Sequence, residues 1–210
     1  MLKIWGRTTS ANVQKVMWAV GELALPHERV DLGGPFGGNR EPEYLAKNPN
    51  GFVPTIEDDG FVLWESNTIL RYLAANPAGS AGATLEPADR RDRARASQWM
   101  DWELTVASPA FRPVFIGLVR TPAAQRDAAA IAAATETSIA AMTILDAALA
   151  GSAYLAGDTF SYGDIPLAVL VRRFLELVVE RPSLSNIERW YTAIEARPAF
   201  REHVGGIPMV

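Results

Sequence analysis

The sequence predicts two domains, a small α/β half followed by an all-α helical bundle, and three observations carry that expectation. Residues 1–76 mix short β-type runs with helical ones, residues 87–200 read as helix almost throughout, and a small turn-forming stretch from Asn76 to Ala83 separates them. The expected domains are residues 1–77 and 86–210. With 49% apolar and 21% charged residues, a chain of 210 residues has the balance of a folded rather than a disordered protein.

The first half reads β-α-β-α-β-β-α. Leu2 to Trp5 is a short apolar strand. Val13, Val16, Met17, Val20 and Leu23 recur at helical spacing, which predicts an amphipathic helix over 11–24 with Ser10 in the N-cap place. Residues 28–32 suggest a second strand, Gly33 to Gly38 a loop, and Glu43 to Lys47 a helical turn. Val53 to Glu57 and Phe61 to Trp64 flank Asp58-Asp59-Gly60, a hairpin signal. Ser66 then caps a helix through Ile69, Leu70, Tyr72 and Leu73. This order is the thioredoxin arrangement, in which a proline often opens the third strand. Pro54 stands there, and a cis bond is one way to fit it.

In the second half, one helix runs from about Ala88 towards Phe111, with Pro109 and Pro113 expected to end or kink it. A second spans the alanine-rich run 122–149. A third opens with Ser161-Tyr162-Gly163-Asp164, a capping box, with Phe160 and Ile165 placed to staple its two ends. Its body, Ile165 to Val179, is apolar on nearly every face and so predicts a buried helix. The last covers about Leu184 to Ala196.

Composition excludes several functions. A net charge of -4 argues against a broad basic surface for nucleic acid. There is no cysteine, hence no disulfide, thiolate metal site or protein thiol nucleophile; any sulfur chemistry needs sulfur from a substrate or cofactor. His27 and His203 are the only histidines, and no metal is expected. No uncharged run approaches ~20 residues, so no membrane helix is expected. The start, Met1 to Ser10, turns polar too soon for a signal peptide, and the expected address is the cytoplasm. Gly33 to Gly38 lacks the lysine of a P-loop and the spacing of a dinucleotide fingerprint, so it reads as plain loop.

Four segments together point further: Ser10-Ala11-Asn12, Asn50 to Ile56, Leu63 to Leu73, and Phe160 to Pro166. Over essentially its whole length the chain resembles the cytosolic glutathione S-transferases, nearest their serine-type, theta-like bacterial branch. The resemblance implies a thioredoxin-like N-terminal domain, a helical C-terminal domain, and a homodimer that pairs one subunit's first half with the other's second. It also implies glutathione as co-substrate and a small hydrophobic electrophile as acceptor. The alternatives are a non-catalytic binding or stress protein on the same fold, or a glutathione-dependent dehalogenase, isomerase or peroxidase.

The chemistry such a protein must perform sets the roles of its residues. A thiol of pKa ~8.5 is about 3% thiolate at pH 7, and lowering it to ~6.5 gives roughly 75%, for ~2.7 kcal/mol. One hydrogen bond to a charged group supplies ~1.5–3 kcal/mol and a helix N-terminus ~0.3–1. Ser10 matches the family's hydroxyl position, and its other role is a plain N-cap. Thr8 and Thr9 offer competing hydroxyls, and Asn12 a second donor to sulfur or to the glutathione backbone. The resemblance further implies that Val53, before a cis Pro54, pairs its backbone with the cysteinyl unit like an added strand. Ser66 would hold the γ-glutamyl carboxylate at a helix start, and Glu65 the adjacent ammonium. For the glycyl carboxylate, relatives place histidine, lysine or glutamine near Asn39, Gly51 or Phe52. Here Asn39 offers only a neutral hydrogen bond, and Arg40 and Lys47 are the neighbouring cations. The resemblance implies an electrophile pocket where Trp99, Trp102, Phe111, Arg112 and Phe115 lie, although aromatics at this spacing also suit a core; Asp101 reads either as reaching a glutathione across the dimer interface or as a solvated helix acid.

Overall fold

The structure, a computed structural model, describes residues 1–75 and 84–210, so the expected linker at 76–83 lies outside the described residues. Contacts divide the chain into a first unit of residues 1–86 and 198–207 and a second of 87–197 and 208–210.

The first unit is thioredoxin-like. Strands β1 (Leu2–Trp5), β2 (His27–Val30), β3 (Thr55–Asp58) and β4 (Phe61–Trp64) form one sheet in the order β2-β1-β3-β4. The β1–β2 pair is parallel and the other two pairs are antiparallel. Ile4 and Ile56 face each other in register and are both fully buried. Asp59 and Gly60 hold φ of 46° and 89°, the left-handed pair that a two-residue hairpin turn needs. Helix α1 (Ala11–Glu22) packs along α3 (Ser66–Ala74), burying Val13, Val16, Val20, Ile69, Leu70 and Leu73. The short α2 (Pro42–Leu45) lies between β2 and β3 in sequence.

Residues 198–207, which the sequence places with the helical half, count with this first unit. They form a helical turn α9 (Pro198–Phe200) and a π turn over Arg201–Gly205. Phe200 meets Trp18 of α1 edge to face, with ring centroids 5.0 Å apart. His203 fits against Gly21, where an added methyl would stand 2.8 Å from the imidazole. Burial lowers the His203 pKa.

The second unit holds α4 (Arg90–Trp102), α5 (Ser108–Phe115), α6 (Ala128–Ala148), α7 (Asp164–Leu177) and α8 (Ser185–Glu195). The prolines at 109 and 113 do not end the helix. The chain stays helical from Arg90 to Arg120, with π turns at Glu103–Ala107 and Ile116–Arg120. A π turn shifts the bonding by one residue, which absorbs a proline's missing N–H without ending the helix. No uncharged run approaches ~20 residues, yet residues 128–151 are long and apolar enough to cross a membrane by length and composition alone, because alanine supplies the hydropathy. In the fold this helix packs on α5 and α8, Ser138 Oγ donates to the Ala110 carbonyl at 3.1 Å, and Asp146 binds amides of α8. As expected, α7 is the buried helix: Ile165 to Phe174 are all buried, the arginines included.

Asp164 opens α7, and its carboxylate is fully buried. It accepts from the Ser161 N–H and Leu155 N–H at 3.0 Å each, from Trp190 Nε1 at 3.0 Å and from Ser161 Oγ at 3.3 Å. Burial pushes its pKa up to about 6 in spite of these four donors. The motif read as a capping box therefore also ties in the loop at Leu155 and helix α8.

Candidate functional site

One row of the sheet register gathers the site. Trp5, the last residue of β1, stands between Val30, the last of β2, and Thr55, the first of β3; Thr55 in turn faces Trp64, the last of β4. Four segments therefore leave the sheet at one end: residues 6–10, 31–40, 53–54 and 65–66. Ser10, Asn39, Val53, Pro54, Glu65 and Ser66 all belong to them, and Asn12 lies in the helix turn that follows the first.

Ser10 occupies the N-cap place of α1 in extended conformation, φ -77° and ψ 124°, but its side chain makes no capping bond. The hydroxyl is half-exposed, and the first turn of α1 holds no acid to offset the positive end of the helix. The loop before it is held in place: Ser10 N–H donates to the Arg7 carbonyl at 3.2 Å, and Gln14 Nε2 to the Thr8 carbonyl at 3.1 Å. Asn12 is exposed in the first turn. A part-exposed hydroxyl at a helix start that it does not cap suits an anion.

The Val53–Pro54 peptide bond is cis. The ladder begins at Thr55, and among the described residues no backbone bond engages Val53. A buried polar group sets the direction of its N–H. Tyr44 Oη donates to the Phe52 carbonyl at 2.6 Å and lies 2.7 Å from Thr55 Oγ1; Asn48 Nδ2 donates to the same carbonyl at 2.9 Å. In a planar trans peptide the N–H points opposite to the C=O, so pulling the Phe52 carbonyl inward turns the Val53 N–H outward. Burial raises the Tyr44 pKa, so the phenol stays a donor. Sequence reasoning missed Tyr44, Asn48 and Thr55, which act on the site only through Val53.

Glu65 precedes α3 with φ 71° and ψ 109°, a left-handed conformation that a glutamate rarely adopts. It is exposed, whereas Ser66 is only 4% exposed and is the first helical residue rather than the cap. No side chain caps α3, and no acid stands in its first turn. Its leading amides thus present the same positive end as those of α1. Asn39 donates through Nδ2 to the Gly51 carbonyl at 2.8 Å, which leaves its second N–H for another partner. Gly51 has φ +62°, and a methyl there would stand 2.7 Å from the Asn39 carbonyl oxygen, so glycine is required. Of the two neighbouring cations, Lys47 binds Glu57 at 2.6 Å, and Arg40 donates to the Asn50 carbonyl at 3.1 Å.

In the second unit the aromatics divide. Phe111 is core, edge to face with Phe174 at 6.2 Å. Trp99 and Trp102 meet edge to face at 5.1 Å, half-buried, and the guanidiniums of Arg120 and Arg173 stand 5.5 and 5.2 Å from the Phe115 ring centroid. Arg112 and Asp101 are exposed.

Comparison with known proteins agrees along the whole chain. Residues 9–76 match the glutathione S-transferase N-terminal domain and residues 99–198 the glutathione S-transferase C-terminal domain. The chain is 41% identical over 206 residues to glutathione S-transferase GstB of Escherichia coli K12, covering 97% of this chain and 98% of that one. It is 33% identical to glutathione S-transferase 3 of Zea mays, covering 99% and 95%. Among solved structures, the theta class glutathione S-transferase of Xanthomonas axonopodis pv. citri with glutathione bound superposes with a TM-score of 0.92. That pair is 43% identical, with 100% of this chain and 99% of that one covered.

Proposed function

This chain belongs to the glutathione S-transferase family and is a glutathione transferase, and on that premise we propose that it activates sulfur in the serine-type manner, through Ser10. The observation that carries this reading is the register row: it brings the Ser10 hydroxyl, the outward Val53 N–H and the uncapped start of α3 to one end of the sheet.

Glutathione lies across that end. Its γ-glutamyl carboxylate takes the Ser66 amide and hydroxyl, and its ammonium takes Glu65. Its cysteinyl unit pairs with the Val53 backbone, which the cis Pro54 bond leaves outside the ladder. Asn39 serves the glycyl end. The Ser10 hydroxyl donates to the thiolate, helped by the α1 N-terminus and by the Asn12 amide, and so lowers the thiol pKa. The thiolate then attacks a small hydrophobic electrophile: a C–S bond forms, and the leaving group departs with its bonding pair or a strained ring opens and takes a proton from water. With no cysteine in the chain, glutathione is the only thiol in the reaction.

The enzyme works as a cytoplasmic, detoxifying homodimer. Leu104 and Val106, apolar yet 45% and 39% exposed in the helical half, support pairing. Light scattering at micromolar concentration should report twice the chain mass; a monomer alone would count against it. The decisive experiment for the site is the thiolate absorbance of bound glutathione, titrated over pH in wild type and Ser10→Ala. The curve should move up by roughly one to two pH units in the variant. Coincident curves would return the role to Asn12, Thr8, Thr9 or the helix dipole.

A further inference from the structure

The segment that carries Ser10 is held by a side chain from another strand, which the reading above does not use. Arg29 lies on β2, beside Ile4 of β1, with its side chain 23% exposed. Its Nη1 donates to the Gly6 carbonyl at 2.9 Å, and the same guanidinium binds both carboxylate oxygens of Asp31. Asp31 thus pins the guanidinium that holds Gly6.

Gly6 is the first residue past β1 and opens the run that ends at Ser10. The Gly6–Arg7 peptide is held at both polar groups: its carbonyl accepts from Arg29, and its N–H donates to the Leu32 carbonyl at 3.1 Å. Further along, the Ser10 N–H closes onto the Arg7 carbonyl at 3.2 Å, and Gln14 Nε2 holds the Thr8 carbonyl at 3.1 Å. A run bonded at each of these steps passes the setting of the Gly6 carbonyl on to Ser10. Gly6 also touches the other side of the site. A methyl added there would stand 3.2 Å from Val53 Cβ and 2.4 Å from Val13 Cγ2, so its bare backbone is wedged between the segment before Pro54 and helix α1. The Gly6 peptide therefore sets how the Ser10 hydroxyl stands relative to the Val53 backbone, and both groups must meet one cysteinyl unit.

Hydrogen bonds weaken steeply with misalignment, and a misplacement of ~1 Å can cost about a hundredfold in rate. We propose that Arg29 is a positioning residue for thiol activation: through the Gly6 carbonyl it fixes the segment that aims the Ser10 hydroxyl at the sulfur held on Val53. This rests on the Ser10 reading above.

The test is the thiolate absorbance of bound glutathione, titrated over pH in wild type, Arg29→Met, Asp31→Asn, Ser10→Ala and the Ser10→Ala/Arg29→Met double variant. Lys3→Met is the control, because Lys3 pairs with Glu28 at 3.4 Å across the same two strands without touching the Ser10 segment. Arg29→Met should move the titration up by roughly 0.5–1 pH unit, and Lys3→Met should leave it in place. Asp31→Asn, the milder change for folding, should also move it up, by less. A plain charge effect would instead send it down, since an anion is lost. In the Ser10→Ala background Arg29→Met should add no shift, because the hydroxyl it positions is gone. The proposal is overturned if Arg29→Met leaves the titration unmoved, if Asp31→Asn leaves it unmoved or lowers it, if Lys3→Met moves it as far, or if the Arg29→Met shift persists without the Ser10 hydroxyl. Coincident curves for wild type and Ser10→Ala would sink the Ser10 reading itself, and this proposal with it.

Discussion

The helix starts of the two units are treated in opposite ways. In the second unit a carboxylate holds the leading amides of three helices. Asp89 accepts from Arg91 N–H in α4, Asp127 from Ala130 N–H in α6, and Asp146 from Asn186 and Ile187 N–H of α8, while α7, which has no side-chain cap, carries the acid Asp164 in its first turn. In the first unit, α1 and α3 begin at Ser10 and Glu65 with no side-chain cap and no acid in the first turn. A cap satisfies amides that would otherwise seek an anion, and each is worth ~0.5–2 kcal/mol. The difference separates helix ends offset by the chain's own carboxylates from the two that no side chain caps, which are the ends the proposed reading gives to glutathione.

The sharpest way to break the contrast is Asp164→Ala. It leaves buried donors from Leu155, Ser161 and Trp190 without an acceptor and should cost roughly 3–5 kcal/mol, read from the denaturation midpoint. Less than ~1 kcal/mol would mean that the buried carboxylate is not what holds α7 and α8 together. The same group predicts a pH dependence. Its folded pKa, about 6, lies above the ordinary carboxylate value, so the folded state keeps a proton that the unfolded chain releases. Stability should therefore fall as pH rises from about 4 to 6, by up to about 3 kcal/mol from this group, and Asp164→Asn should lack that component. Next in size, Asp146→Ala removes three bonds to α8, two from backbone amides and one from Asn186 Nδ2, and should cost about 1–3 kcal/mol in the same assay.

The first unit should respond in the other currency. Ser66→Ala should change stability by less than ~1 kcal/mol but weaken glutathione binding roughly tenfold or more, with the thiol titration unmoved. Unchanged affinity would remove Ser66 from the site. Ser10→Ala should be the mildest for folding, within ~0.5 kcal/mol, because no cap bond is lost. A larger loss would show that the hydroxyl caps α1 in solution, and would place it with the second unit's carboxylates.

Much of this was legible in the residues. Apolar spacing marked α1, α3 and α7, Asp59-Gly60 marked the hairpin, and Ser161 with Asp164 marked the start of α7. The partners of Asp164 were not legible: Leu155 and Trp190 lie 9 and 26 residues away, and only the folded bundle brings them in. The prolines at 109 and 113 carried a correct local rule that the long helix evades with π turns. The return of Phe200 and His203 to α1 depends on a hole at Gly21 and a ring at Trp18 that no local pattern announces.

The same division runs through the site. Residue types and their neighbours in sequence determined that a hydroxyl opens one helix, that a Glu-Ser pair opens another, that a proline precedes β3 and that sulfur must come from outside. Those properties follow from propensity and periodicity, which act over a few residues. The tertiary structure alone decided that the three segments share one end of the sheet, that Tyr44 and Asn48 turn the Val53 N–H outward, and that Arg29 reaches the Gly6 carbonyl. Each of these is set by strand register or by a buried bond between segments far apart in the chain, and only the packed core selects among such pairings.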